Sequence, residues 1–248
     1  MKPFRIGILG GMGPLAGLEL HRLIIEATPA ASDQDHLQVV LFTDPNIPDR
    51  TYSLLHDNGE KFSTAAAKSA KVLEDAGADC IAMACMTAHS RIQKIQDAVS
   101  IPVINGIEIT QQTLEQTAAG KKVALLATNG SIKAGVYTYA DRAIEWMIPD
   151  NTTQQLLMDG IYSIKSGDFA SGSAQVTQAA ADLTSKGAEV FVLGCTELGL
   201  LHDQLSELGH VVADPQRLLA GHLVEIALAK PVAVSPYAYH AYWPTGSG

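Results

Sequence analysis

AGADCIAMACMTAH, residues 76–89, and KGAEVFVLGCTELG, residues 186–199, are two versions of one pattern. Each opens with Gly-Ala-acid, runs through a short apolar stretch and ends in a cysteine, Cys85 or Cys195, with a threonine close behind at 87 or 196. Short runs that are apolar at every position predict parallel strands covered on both faces. A helical pattern precedes each run, over 60–76 and over 171–186, and stops at Gly77 or Gly187. The repeat predicts two similar α/β lobes.

Outward from the repeat, further strand-like runs fall at 4–9, 37–43, 101–104, 122–127 and 209–213. Helical patterns lie between them, at 14–28 and 215–229 among others. This alternation predicts doubly wound parallel sheets, one per lobe. The first lobe is expected to span 1–105 and to be completed by 212–230, and the second to span 106–211. From Pro231 to residue 248 the composition turns Pro- and Tyr-rich, and this tail is given no catalytic role.

Composition narrows the function. Hydrophobic residues make up 47% of the 248, enough for a substantial core. No apolar run reaches the roughly 20 residues of a bilayer span. The stretch MKPFRIGILGG reads as a first strand rather than a signal peptide, so a cytoplasmic protein without a membrane partner is expected. A net charge of −9 argues against nucleic acid, whose phosphates need a basic face. An anionic ligand would need specific cations to reverse the local field. Three cysteines, an odd number, fit reduced thiols, and no CxxC or HxxxH spacing points to a metal.

Ligands of open α/β sheets sit beyond the carboxyl ends of the strands, where Cys85 and Cys195 are expected. The residues after each cysteine read as the start of a helix, whose free N–H groups favour a thiolate. A buried small hydrophobe is the ordinary role of a free cysteine, but two at matching corners of a repeat argue for chemistry. Cys80, at the start of its strand, is assigned to the core.

Three loops supply candidate contacts. ILGGMGPL (8–15) is a glycine-rich turn that lacks both the GxGxxG and the GK[ST] spacing, so it suits a small carboxylate better than a nucleotide. In FTDPNIPDRT (42–51), Arg50 can grip a carboxylate bidentately, although most arginines are only solvated. ATNGS (127–131) offers backbone N–H groups and Thr128 to another anion, or is an ordinary capped turn. Lys165 closes a helical segment before Gly167, where a lysine usually serves the helix dipole.

Taken together, GILGGMGPLA (7–16), NIPDRT (46–51), GADCIAMACMTAH (77–89), LLATNGSIKAGVY (125–137), GIY (160–162) and GCTELGLL (194–201) resemble the aspartate/glutamate racemase family, its aspartate racemase branch in particular. The resemblance covers about residues 4–229. It implies interconversion of L- and D-aspartate or glutamate with no cofactor, neither pyridoxal phosphate nor metal, and a homodimer. It implies an active site in the cleft between the two lobes, with Cys85 and Cys195 as the acid–base pair. Thr87 and Thr196 would hold the α-carboxylate or ammonium, and Arg50 and Lys165 the side-chain carboxylate. Met12, Thr128 and Asn129 match pocket-wall positions. Where the family reads Cys-Asn-Thr-Ala-His, this chain has Met86. Methionine lacks the donor and acceptor of asparagine, so a substrate hydrogen bond is lost or supplied elsewhere.

The chemistry is self-consistent. Racemisation removes a proton from one face of a carbon and delivers another to the opposite face, and two thiols, one ionised, can do both. Three other readings stay open at this level: a decarboxylase or isomerase of the same fold resembling arylmalonate decarboxylase or maleate isomerase, a non-catalytic amino-acid-binding protein, and a redox protein.

Overall fold

The computed structural model describes residues 3–137 and 144–228, so the tail from residue 231 lies outside the described residues. The first lobe runs β1 (Arg5–Gly10), α1 (Pro14–Ala27), β2 (Gln38–Thr43), α2 (Arg50–His56), α3 (Glu60–Asp75), β3 (Cys80–Met83), α4 (Ile92–Gln96) and β4 (Val103–Ile104). After α5 (Gly106–Thr117) come β5 (Lys122–Leu126), α6 (Asn129–Lys133), β6 (Glu145–Met147), α7 (Asn151–Ser166), α8 (Phe169–Ser185), β7 (Val190–Leu193), α9 (His202–Glu207), β8 (Val211–Ala213) and α10 (Pro215–Ala227).

Each lobe carries a four-stranded sheet, with strand orders β2-β1-β3-β4 and β6-β5-β7-β8. Every pairing is parallel. The two orders superimpose strand for strand, so β3 and β7, which lead to the two cysteines, hold equivalent places. In each sheet the order reverses at its first strand, β1 or β5, and there the loops at the carboxyl ends part to leave a crevice. The strand at 145–147 was not foreseen. Its three residues, Glu-Trp-Met, form an edge strand too short to show a pattern. The boundary expected between 211 and 212 falls inside β8, which pairs with β7.

The strands alternate between two cores. Ile6 and Ile8 of β1 and Val123 and Leu125 of β5 share one cluster with Leu20, Ile24, Ile107, Leu219 and Leu223, so a layer of α1, α5 and α10 joins the lobes. The other face of the first sheet, with Leu9, Ile81 and Met83, packs on Phe62, Ala66, Ala70 and Leu73 of α3. The corresponding face of the second sheet, with Leu126, Phe191 and Leu193, packs on α7 and α8. Cys80 lies in the central cluster, and burial pushes its thiol up to about 12, as expected of a core residue. Among the described residues no helix is long and apolar enough to cross a membrane.

Gly11, at the end of β1, adopts φ 95, a left-handed conformation that favours glycine, and a Cβ there would meet the Asp44 carbonyl oxygen at 2.2 Å. This close approach packs the glycine loop against the loop that carries Arg50.

Candidate active site

Both cysteines are buried, each 5% exposed, and both line one cleft between the lobes. Met12, Arg50, Met86 and Thr87 reach it from the first lobe, and Thr128, Lys165 and Thr196 from the second. Of the residues singled out from sequence, Asn129 does not line it. Its side chain is exposed and accepts a hydrogen bond from Gln154 Nε2 at 2.8 Å.

The residues after the cysteines are not α-helix. Met86–Arg91 and Thr196–Leu201 are 3₁₀ turns of six residues each. Such turns return quickly toward their own start, which brings side chains at Cys+2 back to the cleft. The Cys85 turn is anchored by His89, whose Nδ1 lies 3.0 Å from the Cys85 carbonyl oxygen. Gly106 N–H donates to His89 Nε2 at 3.1 Å, so the imidazole proton sits on Nδ1 and the ring is neutral. Burial depresses this histidine to about 4.

The expectation that helix N-termini would ionise the thiols gives way at Cys195. Burial pushes this thiol well above its ordinary range, and the Glu197 carboxylate pushes it further, against the pull of Lys165. Cys195 donates its S–H to Glu197 Oε2 at 3.0 Å.

Glu197 was missed in the sequence. It is 5% exposed, and Lys165 Nζ lies 3.2 Å from its Oε1. Gly13 N–H also donates to Oε1, at 3.3 Å. The glycine turn therefore does hold a carboxylate, one supplied by the protein. Burial works against the charges of both Glu197 and Lys165. Their mutual attraction outweighs it, holding the carboxyl below its ordinary value and the ammonium above. The available signal for Glu197 was the threonine–acid pair straight after the cysteine.

Arg50 opens α2 and is 8% exposed. Its Nη2 donates to the Met12 carbonyl at 2.8 Å and its Nη1 to those of Pro48 and Ile47 at 3.2 and 3.4 Å. Its buried Nε makes no hydrogen bond. Burial opposes the guanidinium charge, but Cys85, Asp49 and Glu197 raise it above its ordinary value. Asp49, Thr51, Ile161 and Tyr162 complete the wall, and they too were not singled out. Ile161 and Tyr162 stand four and three residues before Lys165 on α7, hence on the same helix face.

Thr87 reaches across the lobes, its hydroxyl 2.8 Å from Ser131 Oγ and 3.3 Å from Thr128 Oγ1. Thr128 in turn caps α6 by accepting from Ser131 N–H at 3.2 Å. The Thr196 hydroxyl donates to Glu197 Oε2 at 3.3 Å. Met86 is 1% exposed and joins the central core as well as the cleft wall. Among the described residues, no group of three His, Cys, Asp or Glu side chains is placed to hold a metal ion.

A model of the Asp/Glu/hydantoin racemase family matches residues 9–223. The broad specificity amino-acid racemase RacX of Bacillus subtilis (strain 168) is 27% identical over 230 residues, which are 90% of this chain and 98% of that one. The Picrophilus torridus aspartate racemase superimposes with a TM-score of 0.80 at 30% identity, over 90% of this chain and 94% of its own. An aspartate racemase homologue from Pyrococcus horikoshii OT3 does so with a TM-score of 0.70 at 25% identity, over 90% and 99%.

Proposed function

The chain belongs to the Asp/Glu/hydantoin racemase family, and from that premise we propose that it interconverts the enantiomers of aspartate or glutamate by a two-base thiol mechanism without a cofactor. The observation that carries the proposal is that Cys85 and Cys195, at equivalent corners of two equivalent sheets, line one cleft with two cations, Arg50 and Lys165. One sulfur takes the α-proton while the other delivers a proton to the opposite face, and the roles reverse for the other enantiomer. The α-proton is a weak acid, so the developing charge must be stabilised by preorganised donors. Arg50, with its unused Nε–H, is the proposed donor for a substrate carboxylate. The hydroxyls of Thr87, Thr128 and Thr196 are the proposed partners for the α-carboxylate and ammonium, and Met12 and Met86 form apolar wall. By the family resemblance the working form is a homodimer.

A second reading, racemisation of less acidic amino acids, is favoured by one observation. Lys165 and the Gly13 amide are already engaged by Glu197, whose negative charge offsets that of Lys165, so a second substrate carboxylate has less net positive charge to draw it.

The test is a panel of L- and D-amino acids incubated with purified protein and no added cofactor, read by chiral chromatography, with α-deuterium exchange followed in heavy water. Conversion of aspartate or glutamate in both directions supports the proposal. Conversion of neutral amino acids alone favours the second reading, and no exchange with any of them defeats both.

A further inference from the structure

We propose that Glu197 is a positioning residue that keeps the proton on Cys195 in the substrate-free cleft. The inference rests on the racemase reading for its purpose, but not for its measurement.

The two oxygens of Glu197 have separate duties. Oε1 takes Lys165 Nζ at 3.2 Å and the Gly13 N–H at 3.3 Å. Oε2 takes only the Cys195 S–H at 3.0 Å and the Thr196 hydroxyl at 3.3 Å. A Cys195 thiolate would set its negative sulfur against that oxygen, in a buried place where like charges repel strongly. The proton on the sulfur removes the conflict and becomes the hydrogen bond.

Arg50 is the cation on the Cys85 side: the two line the same cleft, and the Cys85 sulfur is one of the groups that favour the Arg50 charge.

Other titratable groups surround the two sulfurs. Lys165 reaches both from α7 and Tyr162 reaches Cys195, Arg50 reaches Cys85 from the start of α2, Asp49 lines the same cleft, and Tyr137 reaches both from the central core. Of these, Lys165 is the group that would ionise Cys195, and Glu197 engages it directly. The asymmetry therefore comes from which cysteine turn carries a carboxylate at its second residue. Position 197 is glutamate, and position 87, its counterpart after Cys85, is threonine.

In turnover, the α-proton of a bound enantiomer passes to the Cys85 sulfur, and the Cys195 proton passes to the opposite face of the same carbon. Product leaves a Cys85 thiol and a Cys195 thiolate. That form is returned to the resting one by the opposite enantiomer, or by proton exchange with water.

Alkylation by iodoacetamide, followed for each cysteine by mass spectrometry from about pH 5 to pH 11, reads the thiolate directly. Each rate is divided by its own high-pH plateau, which removes differences in access. In Glu197→Gln, alkylation of Cys195 at neutral pH should rise by roughly 10-fold or more, with its plateau unchanged, as loss of a neighbouring charge predicts. Glu197→Asp keeps a carboxylate and should leave Cys195 close to its wild-type profile. A Glu197→Gln profile that coincides with the wild type overturns the proposal, as does a Glu197→Asp profile that matches that of Glu197→Gln. Should the Gln variant not fold, wild-type Cys195 that alkylates as fast at neutral pH as at its plateau overturns it too. Failure of the racemase reading would look different, with no interconversion of enantiomers and the response of Cys195 to Glu197 intact.

Discussion

The Thr87 hydroxyl lies 2.8 Å from Ser131 Oγ, so the turn that carries Cys85 in the first lobe is bonded to α6 of the second. Thr128 joins the same cluster at 3.3 Å. Beside it, α2 and α6 meet closely, at Thr51 and Gly130. The lobes therefore touch at the cleft through hydroxyls. A hydroxyl pair exchanged for water or substrate contacts changes stability by only about 1 kcal/mol, so this contact suits a cleft that must open to ligand.

Removal of either cysteine tests the two-base proposal. Cys85→Ala and Cys195→Ala are each expected to lower racemisation by at least about 10²–10⁴-fold, the usual worth of a general acid or base. Deuterium wash-in without inversion should persist for one enantiomer in the first variant and for the other in the second. If both variants exchange the same enantiomer, a single-thiol mechanism takes its place.

Arg50→Ala is expected to lower kcat/KM for aspartate or glutamate by several-fold to about 10²-fold, and far less for alanine. Arg50→Lys should recover little, because one ammonium cannot replace bonds to three carbonyl oxygens and still leave a donor for substrate. An unchanged substrate preference in Arg50→Ala would confine this residue to holding the loops together.

Lys165→Met leaves Glu197 buried with its main cation gone. Removing one partner of a buried pair costs up to about 3–5 kcal/mol, and partial exposure of Lys165 lowers this to about 1–3 kcal/mol. The double variant Lys165→Met/Glu197→Gln should regain part of the loss. Urea denaturation of the four proteins in this cycle gives the coupling, and strictly additive effects would mean the two side chains do not interact.

Gly130→Ala would place a Cβ 2.7 Å from Thr51 Oγ1 and 2.8 Å from its Cα. The second contact is with backbone, so shortening the Thr51 side chain relieves only part of it. Expected are a loss of about 1–3 kcal/mol in stability and a raised KM, as α2 and α6 are forced apart. A denaturation midpoint and KM equal to wild type would show that the lobes yield here without cost.

His89 should make folding sensitive to mild acid. Its folded-state pKa is depressed to about 4 by burial, against an unfolded value near 6.5. Between those values the unfolded chain binds a proton that the folded chain refuses, so stability rises with pH across that window and is lost as pH falls through it. The contribution is on the order of 3 kcal/mol. His89→Gln can still donate to the Cys85 carbonyl and accept from Gly106, yet does not titrate. Its stability should vary less than that of the wild type between about pH 6.5 and pH 4, and parallel curves would place the acid sensitivity elsewhere.

What was legible in the sequence was local. Runs such as CIAM at 80–83 and VFVL at 190–193 declare buried strands by themselves, and Gly77 and Gly187 mark where the preceding helices stop. Two copies of strand, cysteine and turn were enough to read two lobes, and Cys85, Cys195, Arg50 and Lys165 all line the cleft. The pattern could not show that the turns after the cysteines are 3₁₀ rather than α, because a six-residue segment has too little periodicity to distinguish them. Nor could it show β6, with three residues and no apolar run.

Only the tertiary structure decided who partners whom. Gly13 and Glu197 are far apart in the chain, and their hydrogen bond exists because the shared layer of α1, α5 and α10 sets the carboxyl ends of two sheets toward one cleft. The same packing carries Lys165 to Glu197 and leaves Asn129 outside the cleft. Hydrophobic periodicity is written into each segment, because burial acts on every residue where it stands. The ionisation of a buried group depends instead on charges within a few ångströms, and those distances come into being only when the lobes close on each other.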